Sequence, residues 1–186
     1  MDGTPSDAVL LRAARRGDEG AFLRIYGAHR TSLFRFAWRL TGSAEAAEDI
    51  AQECFLALLA GAGFDGRPGG LRTYLFGMAR YIASRRLRAA GRESEERDEA
   101  ADEPGPLEGL LAAERAAAVE RAVRALPLAQ REALILFEYE ELSLEEIAAV
   151  TGAEVGAVKS RLHRAREAVR RRLAPLISDA AERSCK

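Results

Sequence analysis

Basic side chains are concentrated between residues 155 and 173, at a density that could bind phosphate groups. Val158, Leu162 and Ala165 recur there at steps of three and four, which predicts a helix with one buried stripe. Seven basic residues against Glu167 alone give the exposed face a net charge of about +6, which is typical of surfaces that bind DNA phosphates. The basic residues, all outside the apolar stripe, are Lys159, Arg161, Arg164, Arg166, Arg170, Arg171 and Arg172.

A shorter helix is predicted just before this basic helix. Ser143 and Glu146 have the spacing of a capping box, in which each side chain satisfies a free backbone donor at the helix start. Gly152 suits a tight turn, and Ala148 is small enough for two helices to cross closely. The order of short helix, glycine turn and basic helix predicts a DNA-binding helix-turn-helix. For the basic helix taken alone, a solvated helix in a bundle is the alternative interpretation.

A predicted helix over residues 44–60 divides into an apolar face and an acidic face. Leu56 lies in the middle of the acidic face, and an apolar residue with a polar rim is the layout of a binding hot spot. This favours a basic protein partner, because the carboxylates would repel nucleic acid; a merely solvated face is the alternative. The acidic side consists of Glu45, Glu48, Asp49, Gln52 and Glu53, and the side predicted to be buried consists of Ala47, Ile50, Ala51, Cys54, Phe55 and Leu58.

A predicted helix over residues 71–90 combines aromatic and basic residues and contains no acid. Bases stack on aromatic rings while guanidinium groups hold the backbone, so this pattern suits single-stranded DNA. The alternative is that the tyrosines lie at the edge of the core and the arginines are solvated. Phe64 in the preceding loop is a candidate base platform or a plug over the core. Beside the apolar stripe lie Tyr74, Tyr81, Arg85 and Arg88 in one row, and Arg72, Arg80 and Arg86 add further charge.

Helical periodicity extends over most of the chain and strand patterns are nearly absent, so we expect an all-α fold. Residues 91–109 contain eight carboxylates and two prolines, which predicts a flexible acidic linker between two small helical domains. The domains are expected over 1–90 and 110–175, with a tail over 176–186. The predicted helices cover 7–16, 18–41, 44–60, 71–90, 108–125, 129–139, 143–151 and 155–173.

Residues that could support catalysis are sparse. Cys54 and Cys185 lie far apart, without the spacing of a zinc site or a disulfide framework. His29 falls on an apolar stripe and is predicted to be packed in the core, whereas His163 is predicted to face DNA. Without a phosphate loop, metal-ligand cluster or nucleophile motif, we expect no enzyme and no cofactor or metal. No apolar run approaches the roughly 18 residues of a membrane span, so a soluble, cytoplasmic protein without membrane insertion is expected.

The acidic, the aromatic–basic and the terminal basic segments together resemble one family. The chain is similar to bacterial sigma factors of the sigma-70 superfamily, specifically the small extracytoplasmic-function (ECF) group, over about residues 8–175. The resemblance implies a promoter-specificity subunit that binds core RNA polymerase and directs initiation at −10 and −35 promoter elements. The matching segments are Ala47–Leu58 (AEDIAQECFLAL), Arg72–Arg88 (RTYLFGMARYIASRRLR) and Gly156–Arg166 (GAVKSRLHRAR).

The resemblance implies a partner for each segment. The chain would bind the polymerase at the clamp helices of its β′ subunit and at its β flap, and an anti-sigma factor is an expected further partner. Residues implied in polymerase binding are Glu48, Asp49, Gln52, Glu53 and Leu56. Residues implied at the single-stranded −10 element are Arg72, Tyr74, Arg80, Tyr81, Arg85 and Arg88. Residues implied at the −35 duplex are Lys159, Ser160, Arg161, His163, Arg164 and Arg166.

Two other classes of protein could contain a helix-turn-helix or an all-helical fold. A one-component repressor would bind a palindrome as a dimer and would need a ligand domain, whereas residues 1–90 present an acidic face and an aromatic–basic helix. An unrelated helical enzyme would need a catalytic motif that the sequence does not contain. Run-off transcription with core polymerase separates these classes, because a repressor would add no transcript.

Overall fold

The computed structural model of the chain describes residues 5–61, 63–64, 69–90 and 107–184, and over these residues the fold is all-helical. Most of the predicted acidic linker, residues 91–106, lies outside the described residues, and its last residues, 107–109, begin a helix. The helices are α1 (Asp7–Ala14), α2 (Glu19–Thr41), α3 (Ala44–Leu59), α4 (Gly70–Ala90), α5 (Leu107–Arg124), α6 (Leu128–Glu138), α7 (Leu144–Thr151) and α8 (Val155–Ser184).

Helices α1 to α4 form an N-terminal bundle around an apolar core. Phe36 of α2 and Phe76 of α4 meet edge to face in that core, with ring centroids 5.1 Å apart. All six residues that were predicted to be buried on α3 are buried, which fixes the orientation of the helix. The opposite, acidic face of α3 is therefore presented to solvent.

The turns of the N-terminal bundle are fixed by caps. The Asp18 carboxylate accepts a hydrogen bond from the Ala21 amide at 2.9 Å, and the Ser43 hydroxyl accepts one from the Ala46 amide at 3.2 Å. Gly42 ends α2 at a φ of 77°, a left-handed conformation that glycine adopts without strain. The short turn between α2 and α3 follows from these local residues.

Helices α5 to α8 form the C-terminal bundle, which contains the predicted helix-turn-helix. The capping box is present: the Ser143 amide donates to Glu146 Oε2 at 2.8 Å, and the Glu146 amide donates to Ser143 Oγ at 3.1 Å. Gly152 ends α7 at a φ of 64°. Val158 and Leu162 of α8 are buried, so the basic face of α8 points away from the bundle.

The two bundles contact each other, and their buried side chains form one continuous apolar cluster. Helix α4 packs on α7, and α2 packs on α6. Arg131 of α6 donates through Nη1 to the Leu40 carbonyl at the end of α2, at 2.7 Å. Sequence analysis predicted two bundles but not their packing against one another.

The predicted helix boundaries agree with the structure except at some ends. The prediction that the last helix ends near Leu173 is wrong, because α8 continues to Ser184 with Pro175 inside it. Proline removes one backbone donor but can be accommodated in a helix at that cost. Helix α1 ends at Ala14 rather than residue 16, because the chain turns at Gly17 with a φ of 95°. Among the described residues, no helix is long and apolar enough to cross a membrane.

Candidate nucleic-acid interface

The first turns of α8 present basic and polar side chains to solvent. Lys159, Ser160, His163 and Arg164 are exposed, and Arg161 is half-buried. Within the described part of the chain, none of the three cations among them makes an ion pair. This surface is positively charged, and its lysine and two arginines are not engaged in ion pairs among the described residues, so it can accept DNA phosphates and base edges.

Arg166, the sixth residue predicted for this surface, is engaged within the C-terminal bundle. Its Nε and Nη2 atoms both donate to Glu138 Oε1, at 2.8 and 2.6 Å. Its guanidinium also lies 5.0 Å from the ring centroid of Phe137, within cation–π distance. Arg166 therefore holds α8 against α6, two residues beyond Arg164.

The acidic face of α3 has the layout predicted from the sequence. Leu56 is 67% exposed, more than any other large apolar side chain among the described residues. Glu48, Asp49 and Gln52 are exposed, and Glu53 is half-buried. The structure thus brings together all five residues predicted for polymerase binding on one side of one helix.

Arg86, which was not among the predicted site residues, bridges two carboxylates of this acidic face. Its Nη1 donates to Asp49 Oδ2 at 3.1 Å, and its Nη2 donates to Glu53 Oε2 at 3.2 Å. The hydrogen bond to Asp49 is the main reason why the pKa of Arg86 is raised above its ordinary value. Arg85 adds a longer bond to Glu53, of 3.5 Å. The acidic face of α3 is therefore tied to the aromatic–basic helix α4.

The tyrosines predicted for single-stranded DNA lie along an open cavity. Tyr81 is 60% exposed, and Tyr74 is half-buried. Both line a cavity of about 610 Å³, which Ala149 of α7 also borders. Phe64 packs against the core and against Tyr74, with ring centroids 5.6 Å apart. This packing favours its predicted role as a plug over the core rather than as a base platform. Arg88 is exposed and bonds the Ser84 carbonyl in its own helix.

Arg72 and Arg80, also predicted for the −10 strand, bind carboxylates of the C-terminal bundle. Nη2 of Arg72 donates to the backbone carbonyl of Glu140 at 2.6 Å and to its Oε2 at 3.3 Å. Nε of Arg80 donates to Glu132 Oε2 at 2.9 Å, and the Ser84 hydroxyl donates to Glu132 Oε1 at 3.3 Å. These two arginines therefore stand apart from Tyr81, Arg85 and Arg88, which the C-terminal bundle leaves uncovered.

Both of these carboxylates are removed from water. Glu132 is 1% exposed and Glu140 is 4% exposed. Burial raises the pKa of Glu140, and the nearby guanidinium of Arg72 opposes that rise more strongly than those of Arg39 and Arg35 do. Burying a carboxylate costs free energy unless charged or polar groups compensate it. The burial of Glu132 and Glu140 therefore depends on the arginines of α2 and α4.

The remaining candidate residues for chemistry are structural. Cys54 is fully buried, and burial raises the pKa of its thiol to about 12. His29 is packed in the core, as predicted; burial lowers its pKa, and its Nε2 lies 3.6 Å from Asp7 Oδ2. The described residues contain no cluster of side chains suited to a metal ion. Cys185 lies outside the described residues.

The interdomain residues Arg131, Glu132 and Glu140 were missed by sequence analysis. One signal was available for Glu132, which directly precedes the apolar run Ala133–Leu136 and is followed by no polar residue for a full turn. A charge placed among buried positions predicts a buried partner. The identity of that partner could not be predicted, since Arg80 lies 52 residues away along the chain.

Two protein families match the chain, one for each bundle. The family described as sigma-70 region 2 matches residues 25–93, and the family described as sigma-70, region 4 matches residues 116–169. The chain is similar to the RNA polymerase sigma-H factor of Pseudomonas aeruginosa, with 32% identity over 187 residues that cover 94% of this chain and 97% of the relative. It is also 32% identical to the ECF RNA polymerase sigma-E factor of Escherichia coli K12, over 92% of this chain and 96% of the relative.

Two solved structures resemble this fold. The sigma factor RpoE of Bartonella quintana, in complex with the anti-sigma factor NepR, matches with a TM-score of 0.65 and 26% identity, over 82% of this chain and 96% of that chain. CnrH in complex with the cytosolic domain of CnrY matches with a TM-score of 0.66 and 25% identity, over 94% of this chain and 99% of that chain. The likeness extends over both bundles.

Proposed function

Because the chain belongs to the ECF sigma factors of the sigma-70 family, whose function is promoter-specific transcription initiation, we propose how its surfaces divide that task. Residues 1–90 form a region-2-like domain that binds core polymerase and the −10 element. Residues 110–175 form a region-4-like domain that binds the −35 element. Residues 91–109 form the linker, whose last three residues begin α5, and 176–186 form a tail into which α8 extends as far as Ser184. The single observation that carries the proposal is the exposure of Leu56 within the acidic face of α3.

The α3 face is the polymerase-binding surface. Leu56 is the apolar anchor, and Glu48, Asp49, Gln52 and Glu53 supply the polar rim that excludes water around it. Carboxylates of this density fit a basic surface, which we assign to the clamp helices of the β′ subunit. The region-4-like domain contacts the β flap.

The start of α8 is the −35 reader. Recognition helices of this motif contact base edges through their N-terminal residues. Lys159, Arg161 and Arg164 bind phosphates or guanine edges, and Ser160 and His163 add polar contacts at the same surface. Arg166 contributes positive charge near the groove while it remains bonded to Glu138.

Helix α4 captures the opened −10 strand. Tyr81 offers an exposed ring on which a base can stack, with Arg85 and Arg88 close by for the backbone. Tyr74 lines the adjoining cavity. Arg72 and Arg80 complete this surface once their bonds to the C-terminal bundle are released.

The protein has no chemistry of its own, because polymerase supplies the catalysis, and it needs no cofactor. It acts in the cytoplasm, where core polymerase and promoter DNA are found. RpoE of B. quintana was solved with the anti-sigma factor NepR, and CnrH with the cytosolic domain of CnrY; we propose that an anti-sigma factor also binds this chain.

Run-off transcription tests the proposal. Core polymerase reconstituted with the chain should start RNA at promoters identified by sequencing the DNA that this holoenzyme binds. Leu56→Ala should weaken capture of core polymerase about 30-fold, since truncating an interface anchor costs about 2 kcal/mol. Leu23→Ala is the matched control, because Leu23 is an exposed leucine on α2 outside every proposed surface. Unchanged capture by Leu56→Ala would refute the docking surface, and absence of transcripts from the unaltered chain would favour a repressor.

A further inference from the structure

We propose that the free chain is a closed molecule in which its own C-terminal domain competes with the −10 strand for α4. In this closed form Glu132 and Glu140 occupy the arginines Arg80 and Arg72 in place of DNA phosphates. The inference rests on the proposed −10 role of α4. It adds a partner for that surface, namely the carboxylates of α6 and of the turn that follows α6.

The contacts of Glu132 resemble those of a bound phosphate. Its two oxygens receive separate donors, Nε of Arg80 at 2.9 Å and the Ser84 hydroxyl at 3.3 Å. Arginine binds carboxylates and phosphates through the same N–H donors, so one group excludes the other. Glu132 is 1% exposed, which leaves no room for a phosphate beside Arg80 while α6 stays in place.

A second contact lies near the N-terminal end of α4. Arg72 donates both to the backbone carbonyl and to the carboxylate of Glu140. Between the two arginines, Ala149 of α7 borders the cavity that Tyr74 and Tyr81 line. The C-terminal domain therefore covers the two arginines of the proposed −10 surface and borders the cavity of its tyrosines, while Tyr81, Arg85 and Arg88 stay uncovered.

Beside the shared apolar cluster, the domains also meet through polar and cationic contacts, which suit a reversible interface. Arg39 lies over the ring of Tyr139 at 4.1 Å, and Arg124 lies over the ring of Trp38 at 5.5 Å. Arg131 bonds the Leu40 carbonyl while its buried Nε atom has no partner. When the domains separate, water can form hydrogen bonds with each of these groups. Opening therefore leaves no charged group without a hydrogen-bond partner.

Closure leaves the −35 surface free. Lys159, His163 and Arg164 remain exposed in the closed molecule. The inference therefore predicts selective inhibition: the free chain can bind duplex DNA through α8 while its binding of single-stranded DNA through α4 is suppressed. If the carboxylates of the C-terminal domain acted only through their negative charge, they would weaken the binding of duplex DNA and of single-stranded DNA alike.

Trp38 provides a direct measurement of closure, since it is the only tryptophan in the sequence and lies at the domain interface. In the full chain without polymerase, Glu132→Gln combined with Glu140→Gln should open the domains and increase acrylamide quenching of Trp38. Binding of a fluorescein-labelled oligo(dT) 12-mer should rise about tenfold if about 90% of the molecules are closed beforehand. Binding of a mixed-sequence duplex through α8 should change far less.

Two further variants separate opening from a simple change of charge. Glu141→Gln with Glu145→Gln removes the same charge from two exposed positions of the same domain and should leave quenching and the ratio of oligo(dT) to duplex binding unchanged. Arg131→Met removes a positive charge, which by itself weakens DNA binding, but it also removes the bond to Leu40. Arg131→Met should therefore increase oligo(dT) binding, whereas the loss of positive charge alone would decrease it.

The outcomes distinguish this inference from the proposed function. If acrylamide quenched Trp38 as strongly in the unaltered, folded chain as in the double variant, closure would be overturned. The proposed −10 surface would still stand. Opening without a gain in oligo(dT) binding would overturn the competition. In that case Arg85→Ala and Tyr81→Ala in the opened double variant decide the −10 surface itself, since both residues are uncovered in the closed form. Circular dichroism confirms that each variant is folded before it is scored.

Discussion

Cys54 and Leu56 lie two residues apart on α3 and face opposite ways. Cys54 is fully buried and Leu56 is 67% exposed, because successive residues of a helix are rotated by about 100°. This difference could be predicted from the sequence, since the apolar and acidic positions of α3 separate when projected on a helix. Arg86 could not be assigned in the same way, because its carboxylate partners lie on another helix, 33 and 37 residues away.

The thiol of Cys54 should be unreactive in the folded protein. Burial raises its pKa to about 12, so at about pH 8 the thiolate is roughly a thousandfold scarcer than for an ordinary cysteine of pKa near 8.5. In a Cys185→Ser background, modification by Ellman's reagent should be slower than in the urea-unfolded chain by at least that factor of about 10³. Similar rates in the folded and unfolded protein would show that Cys54 is accessible and could act as a redox sensor.

Local sequence signals predict where the helices begin better than where they end. Asp18, Ser43 and Ser143 are residue types favoured at helix N-caps, and all three accept the expected backbone hydrogen bond. The end of α8 was mispredicted because no capping residue stops it at Leu173 and the helix tolerates Pro175. A helix end without a local stop signal depends on cooperativity along the helix, which residue types alone specify poorly.

The capping box of α7 should contribute measurably to stability. Ser143→Ala leaves the Glu146 amide without its acceptor, and the free energy of unfolding should fall by about 1 kcal/mol. Urea unfolding followed by circular dichroism measures this difference. Thr31→Ala on the exposed side of α2 is the control; it removes a hydroxyl from a helix interior and should leave stability unchanged or slightly increased. If Thr31→Ala lowered the stability as much as Ser143→Ala, the loss could not be attributed to the capping box.

Sequence patterns predict the two bundles and their surfaces but not how the bundles meet. The contacts that join them connect residues 52, 68 and 91 positions apart. No helical period relates such positions, and a charged residue indicates that it needs a partner without indicating which one. The closed arrangement therefore follows from tertiary packing, and it gives Arg72 and Arg80 carboxylate partners besides the DNA strand that we propose for them.

Cutting the chain between its domains tests whether this interface holds without the covalent connection. A specific protease site placed within residues 95–101 would allow cleavage after folding. The two fragments should still co-elute in gel filtration well below the millimolar effective concentration that a linker supplies, because the buried ion pairs and the shared apolar cluster remain. Glu132→Gln with Glu140→Gln should make the fragments elute separately, whereas Glu141→Gln with Glu145→Gln should not. Separate elution of the unaltered fragments would mean that the domains meet only because the linker tethers them, and the competition at α4 would then be weak.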